Sequence, residues 1–332
     1  MNWAAKAVFA VVAVLWGSAW IPSSLVLGPV PRLRAGALRF AIAAGFCTLL
    51  ALAERLRARE PSARKPAAIV GDSLILGLAA VGLPYALTVG AVGQVSPGAV
   101  AALFALMPLA AFLMSESRTA AVIPALVIGT CGVVILVAQG LSLSARQLKG
   151  AVLIAGAVML GAFALNYAKR RLRRRDLLAS TAVQFAFAAV LAGALSSMVE
   201  RGRPAIWSRG TSISLLALGV AASGLGLSLM YWLLISMETW QVAALQWSAT
   251  LVSVAEAAWF LRPRIASGMW VGAGLIIGAT IWLLGEGGGA NGDVVTPEMT
   301  IRTVGGAGAS ESEVGSRIET GGSGETGGRP TQ

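Results

Sequence analysis

Four polar side chains in one apolar segment could form a recognition surface. Glu256 lies inside this segment, and Gln246, Thr250 and Ser253 precede it. At about 100° per residue in a helix, these spacings place all four side chains within an arc of about 120°. A carboxylate inside a bilayer is costly and usually faces a cavity or a partner. We therefore expect Glu256 either to exchange protons or recognise a cation, or to serve a structural role at the membrane edge or beside an arginine.

Other polar and aromatic side chains in apolar segments could also contact a solute. Arg39 could bind a carboxylate or phosphate group through its planar guanidinium group, or it could extend to the membrane interface. Trp16 and Trp20 are one helical turn apart and could line a cavity or pack at the interface. Three further residues could hydrogen-bond either a solute or a neighbouring helix, namely Tyr85, Asn166 and Tyr231.

The residue types that dominate enzyme and metal chemistry are scarce. The chain has no histidine, and its two cysteines, Cys47 and Cys131, lie in apolar stretches where a thiol behaves as a small hydrophobic group. The sequence contains neither a phosphate-binding glycine loop nor a nucleophile motif. We therefore expect no cofactor, no metal site and no enzymatic activity.

The positive charge of the chain indicates membrane topology rather than nucleic-acid binding. The formal net charge is +11, and the basic residues collect in short runs, such as 54–65 and 169–176, that flank apolar segments. These runs lack the interleaved aromatic residues of a single-strand binder. Because basic loops tend to stay on the cytoplasmic side of a membrane, we expect no nucleic-acid partner.

The overall hydropathy predicts an all-α membrane protein. Hydrophobic residues make up 56% of the chain and charged residues only 12%, with a mean hydropathy of +0.76. A soluble protein of this length could not bury so much apolar surface. At about 20 residues per span, we predict about ten transmembrane helices. They lie near 4–26, 33–53, 69–89, 97–114, 119–138, 150–168, 177–199, 213–235, 239–261 and 266–284.

The last segment of the chain has a different composition. Residues 286–332 are rich in glycine, serine and threonine, and they carry seven acidic residues and three arginines. A segment with so little apolar content cannot bury enough surface to fold alone. We predict a disordered tail.

An internal repeat relates the two halves of the apolar region. A shift of 142 positions, such as 221 − 79, aligns three pairs of predicted helices. It places Ala79, Ala80, Gly82 and Leu83 on Ala221, Ala222, Gly224 and Leu225, Val100 to Leu103 on Val242 to Leu245, and Gly132 on Gly274. We therefore predict one repeat over 1–140, a second over 141–285, and the tail over 286–332.

Five spans in each half would invert the second half relative to the first. Inverted repeats are characteristic of secondary transporters. With the N-terminus in the cytoplasm, 13 lysines and arginines flank the spans on that side and 9 on the other. The excess is modest, but the two dense basic clusters lie on the same side, which favours a cytoplasmic N-terminus. We expect a multi-pass protein of the bacterial inner membrane.

Short motifs in the first half carry a family resemblance. They are Trp16-Gly17-Ser18, Leu38-Arg39-Phe40, the small-residue run into Pro108, and Gly129 to Leu136. Through them, the chain resembles the EamA-like branch of the drug/metabolite transporter superfamily over about residues 1–285. This resemblance implies ten helices in an inverted 5+5 repeat, both termini in the cytoplasm, and a central cavity through which metabolites or toxic compounds are exported. Thr250 departs from the family pattern, because it occupies the repeat position of Pro108.

These observations favour a secondary transporter of a small metabolite, an amino-acid-like compound or a drug, with proton coupling as one mode. An integral-membrane enzyme acting on lipid-linked substrates and a non-transporting membrane scaffold are the alternatives. The expected partners are a small-molecule solute and membrane lipids. The glycine-rich helix faces suit a monomer and a homodimer equally.

Overall fold

The computed structural model describes residues 3–57, 66–137, 145–172, 176–261 and 267–286. In this part of the chain the secondary structure is helical, apart from turns and one isolated bridge between Val92 and Val95. The predicted disordered tail beyond residue 286 lies outside the described residues.

Ten helices, several of them interrupted, follow one another along the described residues. Those of the first half are α1 (Trp3–Gly17 and Trp20–Leu27), α2 (Arg32–Arg57), α3 (Pro66–Leu76, Gly77–Gly82 and Leu83–Ala91), α4 (Pro97–Phe104 and Met107–Met114) and α5 (Ile123–Val137). Those of the second half are α6 (Ala145–Arg171), α7 (Leu177–Val199), α8 (Arg209–Ala217, Leu218–Leu225 and Gly226–Ser236), α9 (Thr239–Ala243 and Leu245–Leu261) and α10 (Ser267–Glu286).

Most of these helices are long and apolar enough to cross a bilayer. Eight meet this condition by length and composition, and 98–114 forms a shorter apolar helix. Large apolar side chains cover the outer faces of the bundle, with Trp259 80% exposed and Val190 72% exposed. Together with helices of this length and hydropathy, such a surface is suited to lipid acyl chains. The predicted all-α membrane fold is therefore confirmed.

Proline explains two of the helix interruptions. Pro22 and Pro108 each lack an amide hydrogen, and a proline ring clashes with the carbonyl group four residues earlier. Those carbonyl groups belong to Ser18 and Phe104. The first segment of α1 ends at Gly17 and resumes at Trp20, and α4 ends at Phe104 and resumes at Met107.

Equivalent positions of the two halves share the same irregular backbone. The π-helical segments Gly77–Gly82 and Leu218–Leu225 occupy matching places in α3 and α8 under the 142-residue shift. The N-cap residues of α4 and α9, Ser96 and Glu238, are also 142 positions apart, and each accepts a hydrogen bond through its side chain. The repeat seen in the sequence is therefore a structural repeat.

Equivalent helices of the two halves pack antiparallel. At one end of the α2/α7 pair the amide of Leu33 donates to Glu200 (2.9 Å), and further along the rings of Phe40 and Phe185 stack with centroids 5.9 Å apart. The residue number therefore rises along α2 as it falls along α7. In the α5/α10 pair the backbones approach so closely that a Cβ atom at Gly272 would lie 2.7 Å from the carbonyl oxygen of Gly132. Antiparallel packing of equivalent helices means that the second half is inverted relative to the first.

Candidate functional site

A cavity of about 210 Å³ lies between the two halves. Its lining comes from α1, α3 and α4 and from their repeat equivalents α6, α8 and α9. The wall is mainly apolar, and none of the described lining residues is charged. The lining residues are Trp16, Ala80, Pro84, Phe104, Met107, Ala157, Gly161, Ala164, Leu165, Leu227, Met230, Tyr231, Val242, Ala243 and Gln246. Three of the ten side chains predicted from the sequence are thus among them, namely Trp16, Tyr231 and Gln246.

Trp16 is fixed against the π-helical segment of α8. Its indole Nε1 donates to the carbonyl oxygen of Ala222 at 3.0 Å. A Cβ atom at position 226 would lie 2.6 Å from the same nitrogen, so Gly226 makes room for the ring. Because the only donor of the indole is already used, Trp16 offers the cavity an aromatic surface.

Tyr231 lies at the end of a buried chain of hydrogen bonds that leads away from the cavity. Its hydroxyl donates to Oε1 of Gln184 (2.7 Å), and Nε2 of Gln184 donates to Ser180 (3.0 Å). The hydroxyls of Ser180 and Ser73 are 2.8 Å apart, and Ser73 itself donates to the carbonyl oxygen of Ile69. Ser180 must therefore be the donor to Ser73.

Every donor in this chain thus points away from Tyr231 toward the backbone of α3. The phenolic oxygen of Tyr231 keeps its lone pairs but has no hydrogen left to donate to a solute. Sequence analysis missed Gln184, Ser180 and Ser73. The available signal was a glutamine in the middle of an apolar span, because such residues need a partner in lipid.

Gln246 is the other polar group of the cavity wall. It is half-buried, and its side chain forms no hydrogen bond to another residue in the described part of the chain. Its repeat equivalent, Phe104, also lines the cavity. An amide can both donate and accept, so Gln246 can recognise a solute with either kind of group.

Glu256 lies further along α9 and does not line the 210 Å³ cavity. Its two carboxylate oxygens accept hydrogen bonds from the Ser18 hydroxyl and from Trp20 Nε1, the latter at 3.1 Å. Ser18 lies in the interruption of α1, and Trp20 is the first residue of the segment that follows it. A Cβ atom at Gly17 would lie 2.5 Å from that of Val252, so α1 and α9 are in close contact here. Ser18 was not among the predicted site residues, although it belongs to the Trp16-Gly17-Ser18 motif.

The remaining predicted site residues make contacts between or within helices outside the cavity. Thr250 and Ser253 donate to carbonyl groups of their own helix at 2.8 and 3.0 Å. Arg39 donates from Nε to Ser223 of α8 at 2.6 Å, and Tyr85 donates to the carbonyl oxygen of Arg32 at 2.6 Å. These contacts join the four side chains to backbone or side-chain groups outside the cavity.

Asn166 joins three helices near the end of α6. Its amide nitrogen donates to the carbonyl oxygens of Ala111 (3.1 Å) and Ala162 (2.9 Å), and its amide oxygen accepts from Thr239 (3.0 Å). One turn later, Lys169 donates to the carbonyl oxygen of Met237 at 2.6 Å. These bonds hold α6 to α4 and to the start of α9.

The contacts at Glu256 and at Thr239 lie near opposite ends of α9. At about 1.5 Å per residue, they are separated by about 25 Å along the helix. Gln246 and the cavity lie between them. The cavity is therefore bounded along α9 by one polar contact to α1 and one to α6.

Comparison with known proteins places these features in a family. The family model described as the EamA-like transporter family matches residues 4–138 and 148–285. No curated protein matches the chain, whereas 28 chains of solved structures do. One of these, titled only "Crystal structure of protein", is 18% identical, covers 86% of this chain and 99% of its own, and has a TM-score of 0.71. At this identity the likeness concerns the fold alone.

Proposed function

The chain belongs to the EamA-like transporter family, and we propose that this multi-pass membrane protein is a secondary transporter that moves a small solute by alternating access. The observation that carries the proposal is the cavity enclosed by three pairs of equivalent helices from inverted halves. In such folds the solute site lies at the interface of the repeats, and the halves rock around it.

The chemistry of the cavity wall favours a compact, largely apolar solute that carries a hydrogen-bond donor. The volume of about 210 Å³ is smaller than the roughly 300–1,000 Å³ typical of drug-sized pockets. The phenolic oxygen of Tyr231 can only accept, and the Gln246 amide supplies one further polar contact. An anionic solute would meet no cationic side chain among the described lining residues. A cationic solute would likewise meet no anionic side chain among them, so a small neutral alcohol or amide with an apolar body fits these groups.

Alternating access would require the two polar contacts at the ends of α9 to break in turn. Separation of Glu256 from Ser18 and Trp20 would open the cavity toward the end of α1. Separation of Thr239 from Asn166 would open it toward the end of α6. Each contact is a small hydrogen-bonded cluster, so the cost of breaking either one is within reach of solute binding energy.

Proton coupling would act at Glu256. In the described part of the chain its carboxylate has neutral hydrogen-bond donors and no ion pair. Protonation would neutralise the carboxylate and weaken its charge-assisted bonds to Ser18 and Trp20. It would thereby favour separation of α1 from α9. The bias of basic residues supports cytoplasmic termini. A bacterial inner membrane and export are part of this proposal.

Reconstitution into proteoliposomes tests this proposal. A thermal-stability screen of purified protein against small amines, alcohols, amides and carboxylates first identifies a ligand. Uptake of that radiolabelled ligand is then compared with uptake by empty liposomes, with and without an imposed proton gradient. Protein-dependent uptake supports a transporter. Binding without uptake would indicate a scaffold, and chemical conversion of the ligand would indicate an enzyme.

A further inference from the structure

A second cavity lies at the end of the bundle where α1 ends. Its volume is about 730 Å³, and it shares no lining residue with the central cavity. The α1–α2 connection, the first residues of α2, and the last residues of α3 and α7 surround it. The lining residues are Leu27 to Leu33, Ala86, Val89, Gly90, Leu195, Val199, Glu200, Arg203 and Pro204.

The lining of this cavity is amphipathic. Apolar side chains from the helix ends, including Val89, Leu195 and Val199, form one part of the wall. The exposed residues Arg32 and Arg203 form another part. Arginine is well suited to phosphate and carboxylate groups, because its planar guanidinium group offers two parallel donors.

The one acidic residue among the described lining residues forms no ion pair with these arginines. Glu200 is only 4% exposed, and its carboxylate oxygens accept from the backbone amides of Leu33 (2.9 Å) and Arg34 (3.0 Å). The hydroxyl of Ser196 adds a third bond at 2.8 Å. The carboxylate therefore caps the N-terminus of α2, and neither Arg32 nor Arg203 forms an ion pair within the described residues.

The backbone of both arginines is held in place while the side chains stay available. The carbonyl oxygen of Arg32 accepts from the Tyr85 hydroxyl at 2.6 Å, and that of Arg203 accepts from Arg34 Nη1 at 3.4 Å. The amide of Ile206 also donates to the carbonyl oxygen of Pro29 at 3.0 Å, which ties the α7–α8 connection to the α1–α2 connection. The fold thus fixes the backbone at both arginines, from which the exposed side chains extend.

We propose that this cavity binds an anionic amphiphile, with a phosphate head group on Arg32 and Arg203 and an apolar tail against Val89, Leu195 and Val199. Its place at the helix ends puts the arginines at head-group depth and the apolar wall toward the acyl chains. The arginine guanidinium group binds phosphate through charge-assisted and often bidentate hydrogen bonds. The occupant is thus distinct from the solute of the central cavity, and the site does not depend on the proposed transport.

A lipid-dependent stability experiment tests this site. The full-length chain is purified in a neutral detergent, and its melting temperature is measured with phosphatidylglycerol, with phosphatidylcholine, and with inorganic phosphate alone. The same titrations are made with Arg32→Gln/Arg203→Gln and with the control Arg201→Gln/Arg209→Gln. The control removes the same charge from exposed arginines at the same end of the bundle that do not line the cavity.

We expect phosphatidylglycerol to stabilise wild type and the control at concentrations at least about tenfold lower than those needed for the Arg32/Arg203 variant. A tenfold loss of affinity is what the removal of one charge-assisted hydrogen bond would cause. Equal stabilisation of both double variants by phosphatidylglycerol would contradict binding at Arg32 and Arg203. Stabilisation by phosphatidylcholine at the same concentrations would overturn the role of the anionic group, and equal potency of inorganic phosphate would overturn the role of the tail. If the double variant does not fold, Arg203→Gln alone serves, because this residue lies in an exposed connection.

Discussion

The indole Nε1 of Trp247 donates a 2.8 Å hydrogen bond to the carbonyl oxygen of Ala105, and these residues are repeat equivalents, 142 positions apart. A residue can contact its own equivalent only where the two halves meet on their pseudo-two-fold axis. The axis therefore passes between α4 and α9. The carbonyl group of Ala105 is at the interruption of α4, and it also accepts from Thr130 at 3.2 Å.

Loss of this bond on the axis should loosen the contact between the halves. We expect Trp247→Phe to lower the free energy of unfolding by about 1–3 kcal/mol, because the ring stays buried while the hydrogen bond and part of the indole packing are lost. Thermal unfolding in detergent measures the effect. Trp259→Phe is the control, since that side chain is 80% exposed and should change stability little. Equal melting temperatures for the two variants would contradict an axial role for Trp247.

Removal of the amide at Gln246 should weaken solute binding. We expect Gln246→Leu to raise the KM for transport by about 2- to 12-fold, which corresponds to one neutral hydrogen bond of about 0.5–1.5 kcal/mol. Thr250→Val is the control on the same helix, because the Thr250 hydroxyl donates to the carbonyl oxygen of Gln246 and does not line the cavity. An unchanged KM in Gln246→Leu, or an equal rise in Thr250→Val, would exclude Gln246 from the site.

Neutralisation of Glu256 should remove the response of transport to a proton gradient. Glu256→Gln keeps the size of the side chain and one acceptor oxygen for Ser18 or Trp20, but it cannot exchange a proton. We expect solute counterflow to persist while the stimulation by an imposed proton gradient disappears. Glu286→Gln is the control, because Glu286 is exposed at the end of α10. A variant at Glu256 that matched wild type in rate and pH dependence would assign the carboxylate a structural role.

The helical framework could be predicted from the sequence because a bilayer requires about 20 apolar residues per span. The 142-residue repeat could also be detected in the sequence, and its π-helical segments lie where small residues recur in both halves. The interruptions of α1 and α4 follow from Pro22 and Pro108. The interruption of α9 at Ala244 is not accompanied by a proline, and nothing in the local sequence explains it.

The candidate site was harder to predict, because residues on the same face of a helix can lie at different positions along its axis. Gln246, Thr250 and Glu256 lie on one side of α9 as expected, but Glu256 is about 15 Å beyond Gln246 along the axis. The cavity ends before it, and α1 supplies its partners instead. Most of the cavity wall consists of small or apolar residues such as Ala80 and Ala157. Their side chains have no functional group by which they could be identified as site residues in the sequence.

The hydrogen bond between Tyr231 and Gln184 should set the kind of polar group that a solute presents. In wild type the Tyr231 hydroxyl donates to Gln184 and can only accept from a solute. In Gln184→Leu this donation is lost, and the hydroxyl hydrogen becomes free to turn toward the cavity. We therefore expect the variant to gain affinity for a neutral solute with an acceptor, such as phenylacetone, relative to indole, a neutral solute whose N–H group is a donor.

The measurement is the ratio of dissociation constants for indole and phenylacetone in wild type, Gln184→Leu and Tyr231→Phe. The ratio should shift by about tenfold in Gln184→Leu, and Tyr231→Phe should bind both solutes with similar affinity because it has no hydroxyl group. Thr181→Val is the control, since Thr181 is buried in the same helix and donates only to the carbonyl oxygen of Leu177. A global loss of packing would weaken the binding of both solutes in every variant and would contradict this prediction. A change in the ratio confined to the variants at Gln184 and Tyr231 would support the directed chain of hydrogen bonds that continues through Ser180 to Ser73.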